Sequence, residues 1–390
     1  MNTTRMSTGD QAEPLLLRAT SALPAVLADL EGLVTVESPS ADLAAVARSA
    51  DAVARLGAAR LGAEPERVVI EGCTHLRWRL GDGPARVLVL CHHDTVWPVG
   101  SLARRPFAIT DGVLRGPGCF DMKAGLVMAW HALALAAANR AALPVTLLVT
   151  GDEEVGSPSS RALIEAEAAG CAAVFVLEAS ADGGALKLER KGVSRYEVQV
   201  LGRAAHAGTE PERGINATIE AAHQVLAVSA LADPVRATTV TPTTLISGTT
   251  SNTVAATATI AVDVRVRDAD EQRRVDDAIK ALRPVLDGAR LHVSGGPNRP
   301  PMERGASQGL FERAGLLAAE LGLAPLTWAA VGGASDGNFT AGIGTPTLDG
   351  LGAVGGGAHA EDEHVLVDEL PGRTALLAAL ITEIAGTPPS

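Results

Sequence analysis

The chain has 390 residues, 47% of them apolar and 20% charged, enough for a sizeable core and inconsistent with global disorder. Acidic residues outnumber basic ones 45 to 33, a net charge of −12, which argues against a surface for nucleic acid or anionic membrane. No stretch of about 18 apolar residues is free of charges or breakers, so no transmembrane helix is expected. The polar opening MNTTRMSTGDQAEP lacks the apolar segment of a secretory signal. Cys73, Cys91, Cys119 and Cys171 form no CxxC pair and read as reduced thiols of a cytoplasmic protein.

In chain order, the first ~14 residues are expected to fray. Leu and Ala at helical spacing predict helices over Pro14–Leu33 and Asp42–Leu61. Short strands follow at Arg67–Ile70 and Leu76–Leu80. ARVLVL (85–90), PVTLLVT (144–150) and AAVFVL (172–177) are continuous apolar runs, the pattern of strands buried on both faces. Helices are expected between them, over Lys123–Ala138 and Ser157–Ala169. Strand–helix alternation of this kind predicts a doubly wound α/β layer.

The pattern changes near Lys187. Val193–Val200, Thr238–Ile246, Thr257–Val266 and Leu291–Ser294 read as strands, with helices over Gly214–Val228 and Asp268–Leu282. Pro297–Pro301 reads as a linker. Helices and short strands then resume: Leu310–Leu321, Leu326–Ala329, Thr345–Leu348 and Leu370–Ile384. The expected organisation is a discontinuous α/β domain, 1–189 and 300–390, with a smaller α+β domain inserted at 190–299.

Five stretches carry candidate chemistry at strand ends or in glycine-rich loops. After ARVLVL comes Cys91-His92-His93-Asp94, where a histidine can bind a metal while the aspartate orients its ring. Gly116–Lys123 places Asp121 before a helix, as a functional carboxylate or a helix cap. Asp152-Glu153-Glu154 follows PVTLLVT. Three carboxylates at the end of a buried strand are unfavourable without a nearby cation, unless the turn is simply solvated. Glu178 follows AAVFVL, and His359 sits after Gly355-Gly356-Gly357. Two His, one Asp and two Glu with a spare Glu suit Zn²⁺ or a similar divalent ion.

HxDTV (92–96), GPGxxDMKxG (116–125) and DEExGS (152–157), in this order, resemble the M20-type zinc peptidase family, which includes glutamate carboxypeptidase, aminoacylase, succinyl-diaminopimelate desuccinylase and acetylornithine deacetylase. The resemblance spans residues 15–385 and is nearest to the glutamate-carboxypeptidase-like branch. It implies a mixed-sheet catalytic domain and a ferredoxin-like dimerisation domain. It also implies a homodimer and two Zn²⁺ per chain, with Co²⁺ or Mn²⁺ as substitutes. His92 and Glu178 would hold one ion, Glu154 and His359 the other, with Asp121 bridging and followed by a cis peptide bond. Glu153 would be the general base, Asp94 the orienting partner of His92, and His206 an oxyanion donor reaching the neighbouring subunit. Asn252, Arg265 and Arg299 would contact substrate, though for Arg265 a surface ion pair is an equal alternative. Trp97 would line the acyl side or pack against its loop. Cys91, His93 and Ala179 depart from common family residues without removing a ligand. The expected substrate is a small N-acyl amino acid or dipeptide with a free carboxylate. The alternatives are a biosynthetic N-deacylase of the acetylornithine or succinyl-diaminopimelate type, and a catalytically silent metal-binding dimer.

Overall fold

The structure, a computed structural model, describes residues 13–138 and 143–386. The N-terminal stretch expected to fray lies outside these, apart from Glu13 and Pro14. The three apolar runs form the strands Val87–His92, Val145–Thr150 and Ala173–Val176. They belong to a six-stranded sheet ordered Glu66–Ile70, Cys73–Leu80, Val145–Thr150, Val87–His92, Ala173–Val176, Thr347–Leu348. Pairing is antiparallel among the first three and parallel among the last four, so the sheet is mixed.

Side chains alternate across a strand, so a run buried on both faces must be apolar throughout. Leu88, Leu90, Leu148, Val174 and Val176 pack on Ile164, Ala168 and Phe339. Val87, Val89, Leu147, Val149 and Phe175 join the larger core, which includes residues of the helices Leu43–Leu61, Ala124–Ala137 and Leu370–Gly386. Each such side chain contributes about 1.5–3 kcal/mol on burial. The run Cys119–Ala137 has the length and hydropathy of a membrane span, yet 83% of it is buried inside the protein. It is the central core helix, and it packs against Leu370–Gly386.

A second, antiparallel sheet is ordered Thr239–Ser247, Thr257–Val266, Gly192–Leu201, Arg290–Arg299. The helices Ala217–Ser229 and Ala269–Lys280 pack on it around Val198, Val200, Ile260, Val264 and Val275. Asn216 and Asp268 cap these helices through their side chains, worth about 1 kcal/mol each.

Several boundaries differ from the sequence reading. Pro297–Pro301 is not a plain linker: the last strand runs through Arg299. That strand lies at the sheet edge, where Pro297 can lack an N–H. The helix expected over Pro14–Leu33 is two, Leu15–Ser21 and Leu23–Val34, with Pro24 in the first turn of the second. The helix expected from Ser157 starts at Arg161, because Ser159 and Ser160 turn back to Asp152. The short strands Ala108–Thr110, Val113–Arg115 and His364–Leu366 carry too few residues to show a period, whereas Leu186–Arg190 does alternate and the sequence reading omits it. Where the chain passes between the two sheets, Asn338 Nδ2 donates to both Lys191 O and Pro300 O, at 3.2 and 2.8 Å.

Candidate active site

The parallel strands end in register, His92 opposite Thr150 and Leu90 opposite Val176. The residues that follow them therefore emerge at one sheet edge, the place where α/β folds form a crevice. Asp121 arrives on the loop before the core helix. Gly118 in that loop has φ +73°, and a Cβ there would lie 2.5 Å from Thr95 Cγ2, so the close approach requires glycine. The Asp121–Met122 peptide is cis. His359 has φ 63°, a left-handed conformation unfavourable for a residue with a side chain.

Asp121 sits between two imidazoles. Its Oδ1 is 3.3 Å from His92 Nε2, and its Oδ2 is 3.3 Å from His359 Nε2. Glu178 Oε1 lies 3.5 Å from His92 Nε2, and Glu154 Oε2 lies 3.1 Å from His359 Nε2. The result is two histidine–carboxylate groups sharing one aspartate. His92 Nδ1 is 3.0 Å from the Asp94 carbonyl oxygen and 3.4 Å from its Oδ1, which leaves Nε2 facing the other carboxylates. His92 Nε2 and Glu154 Oε1 are buried without a hydrogen-bond partner. Candidate ligand atoms of His92, Asp121 and Glu154, and of His92, Glu153 and Glu178, lie within 4.8 Å of one another. Orphaned imidazole and carboxylate donors at this spacing fit a divalent cation of the zinc type.

The electrostatics point the same way. Burial opposes charge on His92, but Asp121, Asp94 and Glu178 outweigh it and hold its pKa well above the ordinary value. Asp121 and Glu154 raise His359 to about 10. Burial pushes Glu153 well above the usual carboxylate range; Asp336 and Glu178 add to this, while Arg299 opposes it.

This geometry agrees with relatedness measured along the chain. Residues 88–383 match the model of peptidase family M20/M25/M40. The chain belongs to that family. It is 30% identical to carboxypeptidase G2 of Pseudomonas sp. (strain RS-16) over 384 residues, covering 95% of this chain and 92% of that protein. It is also 30% identical, over 349 residues, to succinyl-diaminopimelate desuccinylase of Xanthomonas oryzae pv. oryzae (strain MAFF 311018), covering 80% and 89% respectively. A tripeptidase of Staphylococcus aureus subsp. aureus Mu50 shares the fold, with TM-score 0.71, 19% identity and coverage of 94% and 99%. An M20 family metallo-carboxypeptidase of Sulfolobus solfataricus does likewise, with TM-score 0.71, 16% identity and the same coverage. As an M20 family member the protein is a metallopeptidase-type hydrolase of peptide or amide bonds.

The remaining sequence candidates lie away from this M20 cluster or are engaged within it. Arg299 is buried beside Glu153. Its Nη2 is 2.8 Å from Glu153 Oε1, 2.9 Å from Ser157 Oγ and 3.0 Å from Asp336 Oδ1. Arg265 forms a fork with Asp263, at 2.8 and 3.1 Å. His206 and Asn252 are exposed on the second sheet's loops. His206 Nδ1 accepts from the amides of Gly208 and Thr209, and the Asn252 carbonyl accepts from Ala207 N. Trp97 stacks under Arg105 and donates from Nε1 to Glu363.

Three residues of the M20 site escaped the sequence reading. Asp336 holds Arg299, Ser157 and Thr150. Arg190 lies 3.6 Å from Glu178 and is paired with buried Asp349. Glu363 accepts hydrogen bonds from the Asp121 loop. The Gly/Ser/Asp segment 332–338 was a visible signal for Asp336. Arg190 in LKLERK and Glu363 in EDEH sit among other charges, with no local sign of a buried partner.

Proposed function

We propose that the protein is a dinuclear zinc hydrolase that cleaves the amide bond of a small N-acyl amino acid or dipeptide with a free carboxylate, in the manner of glutamate carboxypeptidases. The observation that carries this reading is the single aspartate shared by two histidine–carboxylate groups, with Glu153 beside them. His92 and Glu178 would hold one ion, Glu154 and His359 the other, and Asp121 both. When bound, such ions polarise the scissile carbonyl and lower the pKa of water towards neutrality. Asp94 fixes His92 with Nε2 directed at the site. Glu153 accepts the proton of the attacking water at its carboxylate and returns it to the leaving nitrogen. Arg299, itself held by Asp336, holds Glu153 in place.

The second sheet, within 190–299, is proposed as the dimerisation domain. Its edge strand exposes Leu245 and Ile246, and the adjacent helix exposes Ile219 and Leu226. An unpaired apolar edge of this kind suits a second copy of the chain. His206 supports the same reading. With Nδ1 accepting two amides, a neutral ring carries its proton on Nε2 and would be a donor available to a neighbouring subunit's oxyanion. Arg265 would exchange Asp263 for a substrate carboxylate, and Asn252, in the turn at the other end of that strand pair, would be a separate polar contact to substrate.

The test is hydrolysis of a panel of N-acyl amino acids and dipeptides by zinc-loaded protein, with and without a chelator. Chelator-sensitive release of a C-terminal amino acid supports the reading, and glutamate as the preferred leaving group supports the branch. Cleavage confined to N-succinyl or N-acetyl diamino acids would replace it with the biosynthetic deacylase. Two bound ions without any cleavage would leave the silent dimer.

A further inference from the structure

Glu363 is a carboxylate without an exposed face: its residue is 2% exposed and lies four positions after His359. The strand His364–Leu366 pairs antiparallel with Val113–Arg115, with His364 opposite Arg115. This register brings Glu363 against the loop that follows Arg115, the loop that ends in Asp121. There its two oxygens accept four hydrogen bonds. Oε1 takes Phe120 N at 2.9 Å and Asp121 N at 3.1 Å; Oε2 takes Gly118 N at 2.9 Å and Trp97 Nε1 at 2.7 Å. A carboxylate has about four acceptor sites, so its capacity is filled. The Glu363 backbone is fixed as well, its N–H donating to Ala360 O while Ala360 N donates to Gly357 O. One side chain thus joins the loop after His92, the loop carrying Asp121 and the loop carrying His359.

We infer that Glu363 is a positioning residue that sets the affinity and geometry of the two-ion site, acting through the backbone of the Asp121 loop rather than as a ligand. The inference rests on the dinuclear reading above. Charge and shape both matter. A glutamine at this position offers one acceptor oxygen, and its NH₂ would face two of the N–H donors. An aspartate keeps the charge but draws it back by one methylene.

The experiment is cobalt titration of the full chain, read as affinity, stoichiometry and the visible absorption band that reports coordination geometry. Glu363→Gln is expected to weaken at least one ion by about 10–100-fold and to alter the band. Glu363→Asp, which keeps the charge if the first variant fails to fold, should give a smaller weakening in the same direction. Leu376→Ala is the control for general destabilisation: Leu376 is buried in the core, and its truncation should lower the melting temperature with the band unchanged. Wild-type affinity and band in folded Glu363→Gln or Glu363→Asp would overturn the proposal. So would an equal change of band in Leu376→Ala. Wild-type protein that takes up no cobalt would overturn the dinuclear reading, and this inference with it.

Discussion

The two sheets carry their functional groups in opposite ways. Around the mixed sheet, carboxylates beside the candidate ligands are held from behind. Asp94 accepts from Ser40 and from the amides of Glu153 and Glu154, Asp152 accepts from Ser159 and Ser160, and Glu363 accepts four bonds. On the second sheet His206 and Asn252 are exposed, and the edge strand shows bare apolar residues. One region has its groups assembled within a single chain; the other leaves them exposed. Preorganised donors and acceptors lower the cost of reaching the transition state, so the first arrangement suits chemistry. The second suits recognition and closure.

That contrast can be broken most forcefully at Glu153. Glu153→Gln is expected to lower kcat by about 10²–10⁴-fold with both ions still bound; unchanged turnover would remove Glu153 as the base. His206→Ala should cost about 10²–10³-fold in kcat without loss of metal. Mixing that variant with Glu153→Gln sharpens the point. If His206 serves the neighbouring subunit, mixed dimers regain activity, whereas a histidine serving its own chain gives none. Ile246→Asp should shift sedimentation from dimer to monomer, and activity should fall with it. A monomeric variant with full activity would separate the second sheet from catalysis.

The smallest effect concerns stability in the second sheet's unit. Glu271 is buried, and bonds from Arg274 and then Thr238 and Arg236 lower its pKa to about 2. Its contribution is complete above the ordinary carboxylate value and lost as pH falls towards 2. Glu271→Gln should therefore cost about 2 kcal/mol near pH 7, discounted because both arginines are exposed, and progressively less below about pH 4. Urea unfolding of both proteins at pH 7 and pH 3 measures this; an equal difference at both values would contradict it.

The sequence made most of the cluster legible for a local reason. His92, Glu153, Glu154 and Glu178 directly follow apolar runs, and a polar group at the end of a buried strand needs an explanation within a few residues. Asp121 stands out by the glycines and proline before it. Glu363, Asp336 and Arg190 were not legible because their meaning depends on distant partners. Glu363 meets Gly118 across 245 positions, and Arg190 meets Asp349 across 159. Arg299 shows the limit: the sequence suggested a contact to substrate, while its partners Glu153, Ser157 and Asp336 came only with the fold. The strand through Pro297 was obscured because proline marks both breaks and sheet edges.

The central helix Ala124–Ala137 has a consequence for how the protein is made. Its packing partner, Leu370–Gly386, leaves the ribosome about 230 residues later. At roughly 5–20 residues per second, the most apolar helix waits some ~10–45 seconds without its cover. A chain cut at residue 369 is expected to aggregate or to be captured by chaperones, and pulse-labelled truncations would show it.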